Sequence, residues 1–134
     1  MTYRLARCAL RTCAYASGVI IFVNDCLFEV YGVTGDSMSP TLSPDYHATG
    51  TKDRVLFSKF FPTKDISRGD LVSFWKPHAP EELSVKRVVG LPGDIVYPDK
   101  RHPTSEVKVP FGEVWLEGDN RRKTMDSNDF GPVR

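Results

Sequence analysis

The sequence predicts a mainly β protein, in which a compact antiparallel β-barrel-like domain follows an amino-terminal membrane-anchor helix. From Leu27 onward, apolar residues recur with a period of two rather than 3.6. Ten Gly and ten Pro in 134 residues separate these runs into short strands. The longest charge-free stretch, mostly apolar, lies before them. We therefore assign residues 1–30 to an anchor or targeting segment and residues 31–134 to the globular domain.

The amino-terminal segment combines basic residues with the apolar run from Thr12 to Val23, which ends at Asn24 and Asp25. The basic residues, at helical spacing, are Arg4, Arg7 and Arg11. A full membrane span needs about 20 apolar residues, so three interpretations stay open: a short membrane anchor, a secretory signal peptide, and a helix packed on the domain. We favour the anchor because no Ala-x-Ala-like cleavage site follows the run. The arginines would keep the amino terminus on the side of synthesis, and the absence of acids before Asp25 suits mitochondrial import.

Seven β-rich runs, each bounded by turn-forming residues, follow this segment. They are Phe28–Val33, Arg54–Phe60, Asp70–Trp75, Leu83–Val89, Asp94–Tyr97, Glu106–Val109 and Glu113–Glu117. No helix of more than two turns is expected after residue 30. The strands therefore indicate one small antiparallel β domain.

Composition excludes several classes of function. The formal net charge is +1, with no long run of one sign, so there is no electrostatic footprint for nucleic acid. All three cysteines precede residue 27, so the globular part is neither a disulfide scaffold nor a cysteine-ligated zinc site. His47, His78 and His102 lack metal-ligand spacing and are expected on the surface or in loops.

The first candidate for chemistry is Ser37, which lies two residues after Gly35 and three before Pro40. A flexible entry and a rigid exit allow a short side chain to stand exposed on a bent backbone, as a nucleophile requires. Taken alone, the same residues also describe an ordinary turn.

The second candidate is Lys86, which lies in a valine-rich strand. Alternation puts it on one face with Ser84 and Val88 but leaves open which face is buried. A lysine base must be neutral near pH 7, so its pKa must fall by about three units, which desolvation among aliphatic side chains can supply. A lysine in a strand can equally point to solvent.

Four sequence blocks occur in an order that resembles the type I signal peptidase family. They are Ser-Met-x-Pro-Thr from Ser37, Arg-Gly-Asp-x-Val-x-Phe from Arg68, Lys-Arg-Val-x-Gly-x-Pro-Gly-Asp from Lys86, and Gly-Asp-Asn through Asp-Ser from Gly118 to Ser127. The resemblance runs from about Gly35 to Val133. Lysine at the base position argues against the endoplasmic-reticulum branch. The ending from Asp126 to Val133 and the short connection between Tyr97 and Val107 resemble the mitochondrial inner membrane proteases.

The resemblance implies that Ser37 is the nucleophile and Lys86 the general base. The backbone N–H of Ser37 would be one oxyanion donor. Bacterial relatives often carry a hydroxyl at the position of Gly35, so here a water or a neighbouring amide would supply the second donor. Thr124 falls where the family places a hydroxyl that orients the lysine amine.

The last block supplies further supporting residues by the same resemblance. Asp126 matches a structural acid, but Asn128 stands where bacterial enzymes carry its arginine partner. That salt bridge therefore cannot form as it does in bacteria. Ser127 belongs to the same block and is grouped with the supporting residues.

The resemblance implies a membrane-bound serine endopeptidase that removes sorting peptides from proteins imported into the mitochondrial intermembrane space. It implies an inner-membrane location, a catalytic domain facing that space, a related protease subunit as partner, and no metal or organic cofactor. Two alternatives stay open: a non-catalytic partner subunit, and a bacterial or plastid signal peptidase. Family members continue for a few strands beyond the last block, so the sequence is either a natural short variant or truncated.

Overall fold

The computed structural model describes residues 13–44, 46–59 and 65–134, with Asn24 and Asp25 described by their backbone alone. The arginines predicted to flank the anchor therefore lie outside the described residues. The chain divides into two compact units. One contains the described residues of Met1–Tyr31 and Leu56–Lys64, and the other those of Gly32–Val55 and Asp65–Arg134.

In the first unit, the described residues start with helix α1 at residues 13–22, which continues as a π-helical turn, Val23–Leu27. The α1 side chains are exposed, and Val19, Ile20 and Phe22 each leave more than half of their surface uncovered. Over the part of the chain that the structure describes, no helix is both long and apolar enough to cross a membrane. The anchor helix thus stays a prediction, because the expected segment begins before residue 13.

All seven predicted strands are present, with shifted ends. They are β1 Phe28–Gly32, β2 Arg54–Ser58, β3 Leu71–Lys76, β4 Ala79–Gly90, β5 Ile95–Val96, β6 Val107–Lys108 and β7 Trp115–Glu117. Within the described ranges they form three sheets, in the orders β1-β2, β3-β4-β7 and β5-β6. The prediction of a mainly β fold is confirmed. The strands of the β3-β4-β7 sheet and of the β5-β6 sheet pair in antiparallel fashion. The described strands form separate sheets rather than one closed barrel.

Strand β4 is longer than predicted and extends back to Ala79, past Pro80. Proline lacks the N–H that a regular ladder needs and is tolerated at irregularities. Such an irregularity occurs here, because the pairing of β3 with β4 shifts register: Trp75 pairs with Leu83, whereas the next residue, Lys76, pairs with Ala79. The predicted strand, Leu83–Val89, begins four residues later than the observed one.

The central sheet carries the core on one face. Phe74, Val88, Leu116 and Val133 form the buried cluster, with Val72 among the apolar residues packed against it. In β4, Lys86 and Val88 are buried whereas Val89 is exposed. Alternation predicted that Lys86 and Val88 share a face, and the structure identifies this face as the buried one.

The described residues also form two single-turn helices, α2 at Tyr46–Thr49 and α3 at Ser127–Phe130. Asp126 caps α3, since its side chain accepts from the Asn128 N–H while Asp129 accepts from the Asp126 N–H. This capping box satisfies two amide groups that a helix start leaves unpaired. It fixes the backbone next to Thr124 and Asp126.

Candidate active site

Ser37 lies in a tight turn that begins at Gly35, whose φ of +85° is a conformation that favours glycine. The next side chain, Met38, is fully buried and anchors the turn. The Ser39–Pro40 peptide bond is cis. From across the site, the Asn120 N–H donates to the Ser37 carbonyl oxygen at 3.0 Å. Buried packing on one side and a backbone hydrogen bond on the other therefore hold Ser37.

Lys86 reaches this turn from strand β4. Its side chain is only 2% exposed, and its Nζ donates to Ser37 Oγ at 2.7 Å and to the Val85 carbonyl oxygen at 3.1 Å. The fold thus brings two residues that are 49 positions apart in the sequence into direct contact. An amine at this distance can take the proton of the serine hydroxyl if the amine is neutral.

Burial lowers the pKa of Lys86 to about 8. This value is the net result of several effects: the negative charges of Asp126 and Asp119 raise the pKa, and the nearby positive charge of Lys76 contributes to lowering it. Desolvation is the largest of these effects. The pKa therefore falls in the range where a lysine supplies a useful neutral fraction near physiological pH.

Thr124 lies near Ser37, but its hydroxyl does not form the hydrogen bond with the Lys86 amine that the resemblance implied. A Cβ added at Gly118 would collide with Thr124 Oγ1 and would also lie 2.6 Å from the Ser37 carbonyl oxygen, so only glycine fits between them. Thr124 Oγ1 is buried and has no hydrogen-bond partner among the described residues. A buried hydroxyl without a partner lowers the stability of the fold by about 1–3 kcal/mol. The Thr124 hydroxyl is therefore available to form a hydrogen bond with another group.

Asp126 is fully buried next to this segment. Its carboxylate accepts from the Gly118 N–H at 3.0 Å and from Asn128 Nδ2 at 3.0 Å. Ser127 is also fully buried, and its Oγ accepts from the Leu116 N–H at 2.9 Å. These bonds connect Ser127 to strand β7 and connect Asp126 to Gly118, which lies beside Ser37.

Sequence reasoning missed Arg101, which supplies Asp126 with a cation. Arg101 Nη2 lies 3.3 Å from Asp126 Oδ1, and Nη1 donates to the Thr124 carbonyl oxygen at 2.8 Å. The resemblance pointed only to the position of Asn128 for the partner of Asp126. One signal was available, because a buried acid without a local arginine requires a cation from elsewhere, and the loop from Tyr97 to Val107 contains basic residues.

Two further ion pairs that were not predicted connect the segments of the site. Lys123 Nζ lies 2.8 Å from Asp36 Oδ2, joining the residue before Ser37 to the residue before Thr124. Arg87 binds Asp119 through both carboxylate oxygens, at 2.9 and 2.7 Å. Both pairs join residues far apart in the sequence, where no local pattern could indicate them.

Comparisons with known proteins agree on one family. Residues 6–102 match the family described as signal peptidase, peptidase S26. The chain is 43% identical to mitochondrial inner membrane protease subunit 2 of Schizosaccharomyces pombe over 115 residues, which cover 86% of this chain and 62% of that protein. It is 38% identical to subunit 2 of Saccharomyces cerevisiae, over 86% of this chain and 66% of that protein.

The related subunit 1 is similar as well. The human mitochondrial inner membrane protease subunit 1 is 34% identical to the chain, over 83% of this chain and 67% of that protein. The chain thus spans slightly less than two thirds of the length of the subunit 2 relatives from the two yeasts.

Proposed function

Because the chain belongs to the signal peptidase S26 family, we propose that it is a membrane-bound serine endopeptidase that removes sorting peptides from proteins imported into the mitochondrial intermembrane space. The observation that carries this proposal is the hydrogen bond of 2.7 Å between the buried amine of Lys86 and Ser37 Oγ. A nucleophile and a base in direct contact satisfy the first geometric requirement of acyl transfer.

In the proposed reaction, Ser37 Oγ attacks the scissile carbonyl carbon while the neutral amine of Lys86 takes the hydroxyl proton. Collapse of the tetrahedral intermediate breaks the C–N bond, and Lys86 returns the proton to the leaving amine. A water then attacks the acyl-enzyme with Lys86 again as base, and Ser37 is regenerated. The Ser37 N–H would be one oxyanion donor, and a water or neighbouring amide would supply the donor that Gly35 lacks.

The supporting residues have proposed roles as well. As a neutral amine, Lys86 would accept the Ser37 hydroxyl proton through its lone pair and donate one hydrogen to the Val85 carbonyl oxygen, which leaves one hydrogen over. Thr124 Oγ1 is buried without a partner among the described residues. After a change in its χ1 angle it would accept that remaining hydrogen and orient the base. Asp126 and Ser127 would hold the segment that carries Thr124 in place.

The proposed location is the mitochondrial inner membrane, which is where the names of the relatives place those proteins. Residues 1–30 would serve as the anchor or targeting segment, and residues 31–134 as the catalytic domain facing the intermembrane space. Relatives named subunit 1 and subunit 2 suggest a hetero-oligomer with a related protease subunit. The mitochondrial names favour this placement over a bacterial or plastid membrane.

One observation favours a second candidate, a non-catalytic partner subunit. Gly35 provides no side-chain oxyanion donor, and loss of one such donor typically costs about 3–4 kcal/mol of barrier. Against this candidate, the contact between Ser37 and Lys86 is intact. A subunit with only a binding role has no need of a buried lysine amine on a serine hydroxyl.

The test is cleavage of a presequence-bearing precursor by the full chain, assembled in detergent with a related subunit whose own nucleophile has been replaced. The proposal predicts that Ser37→Ala abolishes cleavage, whereas Ser39→Ala in the same turn retains most of it. If wild type and Ser37→Ala give the same rate, the chain is a non-catalytic partner.

A further inference from the structure

The buried carboxylate of Asp126 receives its charge partner from a distant loop. Arg101 approaches it from 25 positions away, with Nη2 at 3.3 Å from Oδ1. The same guanidinium donates through Nη1 to the Thr124 carbonyl oxygen at 2.8 Å. One side chain therefore contacts both Asp126, the acid whose charge acts most strongly on Lys86, and the backbone of Thr124, the proposed amine-orienting residue.

The position of Arg101 is itself well defined. Asp99 accepts from Nε and Nη2 at 3.0 and 2.8 Å, and Asp129 accepts from Nη1 at 2.8 Å. A planar guanidinium held at three sites loses most of its freedom before the reaction begins. The side chain is about 29% exposed, so it closes the solvent side of this cluster.

We propose that Arg101 is a positioning residue for the catalytic base, a role that rests on the proposed peptidase function. It compensates the charge of Asp126 beside Lys86 and fixes Thr124 through its backbone carbonyl. The Asp126 carboxylate also accepts hydrogen bonds from the Gly118 N–H, the Asn128 N–H and Asn128 Nδ2, and these donors are present whether or not Arg101 is. Arg101 provides the positive charge that opposes the carboxylate, which the neutral amide of Asn128 cannot provide.

The charges that act on Lys86 explain why the compensation of Asp126 by Arg101 matters for the reaction. Asp126 and Asp119 raise the pKa of Lys86, and Lys76 lowers it. Arg87 compensates Asp119 through two hydrogen bonds, while Arg101 compensates Asp126. Without Arg101, the unopposed charge of Asp126 would favour the protonated amine, and the base would be available only at higher pH.

The experiment compares wild type with Arg101→Gln in the full chain by two readouts. The first is kcat/KM for a precursor from pH 6 to 10, and the second is the titration of the Lys86 amine by NMR with labelled lysine, assigned with Lys86→Met. We expect Arg101→Gln to move both midpoints upward by at least half a pH unit. Activity should fall several-fold at pH 7 and recover in part at pH 9.

The matched control is Arg122→Gln. Arg122 is an exposed arginine whose side chain has no ion pair or hydrogen bond with other described residues. It should leave both midpoints unchanged. Arg101→Gln midpoints equal to those of wild type, with activity unchanged or reduced equally at every pH, would overturn the proposal. Such a result would mean that Arg101 is only structural.

Two additions keep the proposal testable in every case. If Arg101→Gln does not fold, Arg101→Lys is used, which keeps the charge but cannot reach both Asp126 and the Thr124 carbonyl. A wild-type plateau rate in Arg101→Lys would then overturn the proposal, and a several-fold lower plateau with an unchanged midpoint would support it. If wild type does not cleave precursors, the proposed function fails, but the NMR titration still decides whether Arg101 controls the Lys86 amine.

Discussion

Lys86 Nζ donates to Ser37 Oγ at 2.7 Å from a strand position where the lysine side chain is 2% exposed. The lysine amine is therefore both in contact with a hydroxyl group and shielded from water. Removal from water disfavours the charged amine, and contact with the hydroxyl gives the neutral amine a proton to accept. The first three predictions follow from this environment.

The first prediction concerns the pH dependence of cleavage. With a Lys86 pKa of about 8, the neutral base is the minor form below pH 8 and the major form above it. We expect kcat/KM to rise about tenfold per pH unit up to pH 7.5 and to level off above pH 8.5, as for a single essential base. Initial rates on a precursor in constant-ionic-strength buffers measure this, and a flat profile from pH 6 to 9 would contradict it.

The second prediction is that Lys86→Met stabilises the fold while abolishing activity. The pKa of Lys86 in the folded protein lies below the ordinary lysine value of 10.5, so the unfolded chain binds more protons between about pH 8 and 10.5. Wild-type stability therefore rises with pH over this window. The advantage of Met should be about 2 kcal/mol at pH 7, after allowance for the lost hydrogen bonds, and should shrink toward pH 10.5.

Urea unfolding at pH 7 and pH 10 measures that difference, with Lys108→Met as the control. Lys108 is an exposed lysine of strand β6, and its replacement should change stability by less than about 0.5 kcal/mol at either pH. If Lys86→Met is less stable than wild type at pH 7, burial of the amine does not carry the free-energy penalty that we assign to it.

The third prediction concerns the unpaired hydroxyl of Thr124. Thr124→Val keeps the shape but removes Oγ1, which forms no hydrogen bond with other described residues. The folded protein should therefore become more stable by about 1–3 kcal/mol, because the unpaired buried hydroxyl is removed. In contrast, kcat should fall about ten- to a hundredfold if the hydroxyl orients the amine, since misplacement of a catalytic group is costly. Thr124→Ser, which keeps the hydroxyl, should retain most activity. Equal kcat in the valine and wild-type proteins would remove Thr124 from the mechanism.

The sequence predicted some of these features and missed others for physical reasons. Alternation located the strands, and the resemblance identified Ser37 and Lys86 as a pair. Alternation could not decide which face of β4 is buried, because valines occupy both faces there. It also could not find Arg101, because the contact with Asp126 depends on how a loop returns to the sheet.

The fourth prediction concerns the amino-terminal segment. If residues 1–30 form an inner-membrane anchor, alkaline carbonate should leave the full-length protein in the mitochondrial membrane pellet. An apolar helix held in lipid is not released by conditions that break ionic contacts, because its retention depends on hydrophobic burial. Release into the supernatant would indicate a packing helix or a removable presequence instead.

The most direct test of the central claim is precursor cleavage by Lys86→Arg, with Lys108→Arg as the control at an exposed strand position. Arginine keeps the charge and approximate length, but its pKa above about 12 prevents it from taking the proton of Ser37. We predict that Lys86→Arg is as inactive as Ser37→Ala, that the double variant is no worse because the two residues act as one unit, and that Lys108→Arg cleaves at the wild-type rate. Substantial cleavage by a folded Lys86→Arg protein would leave Ser37 without its proposed base and would contradict the account.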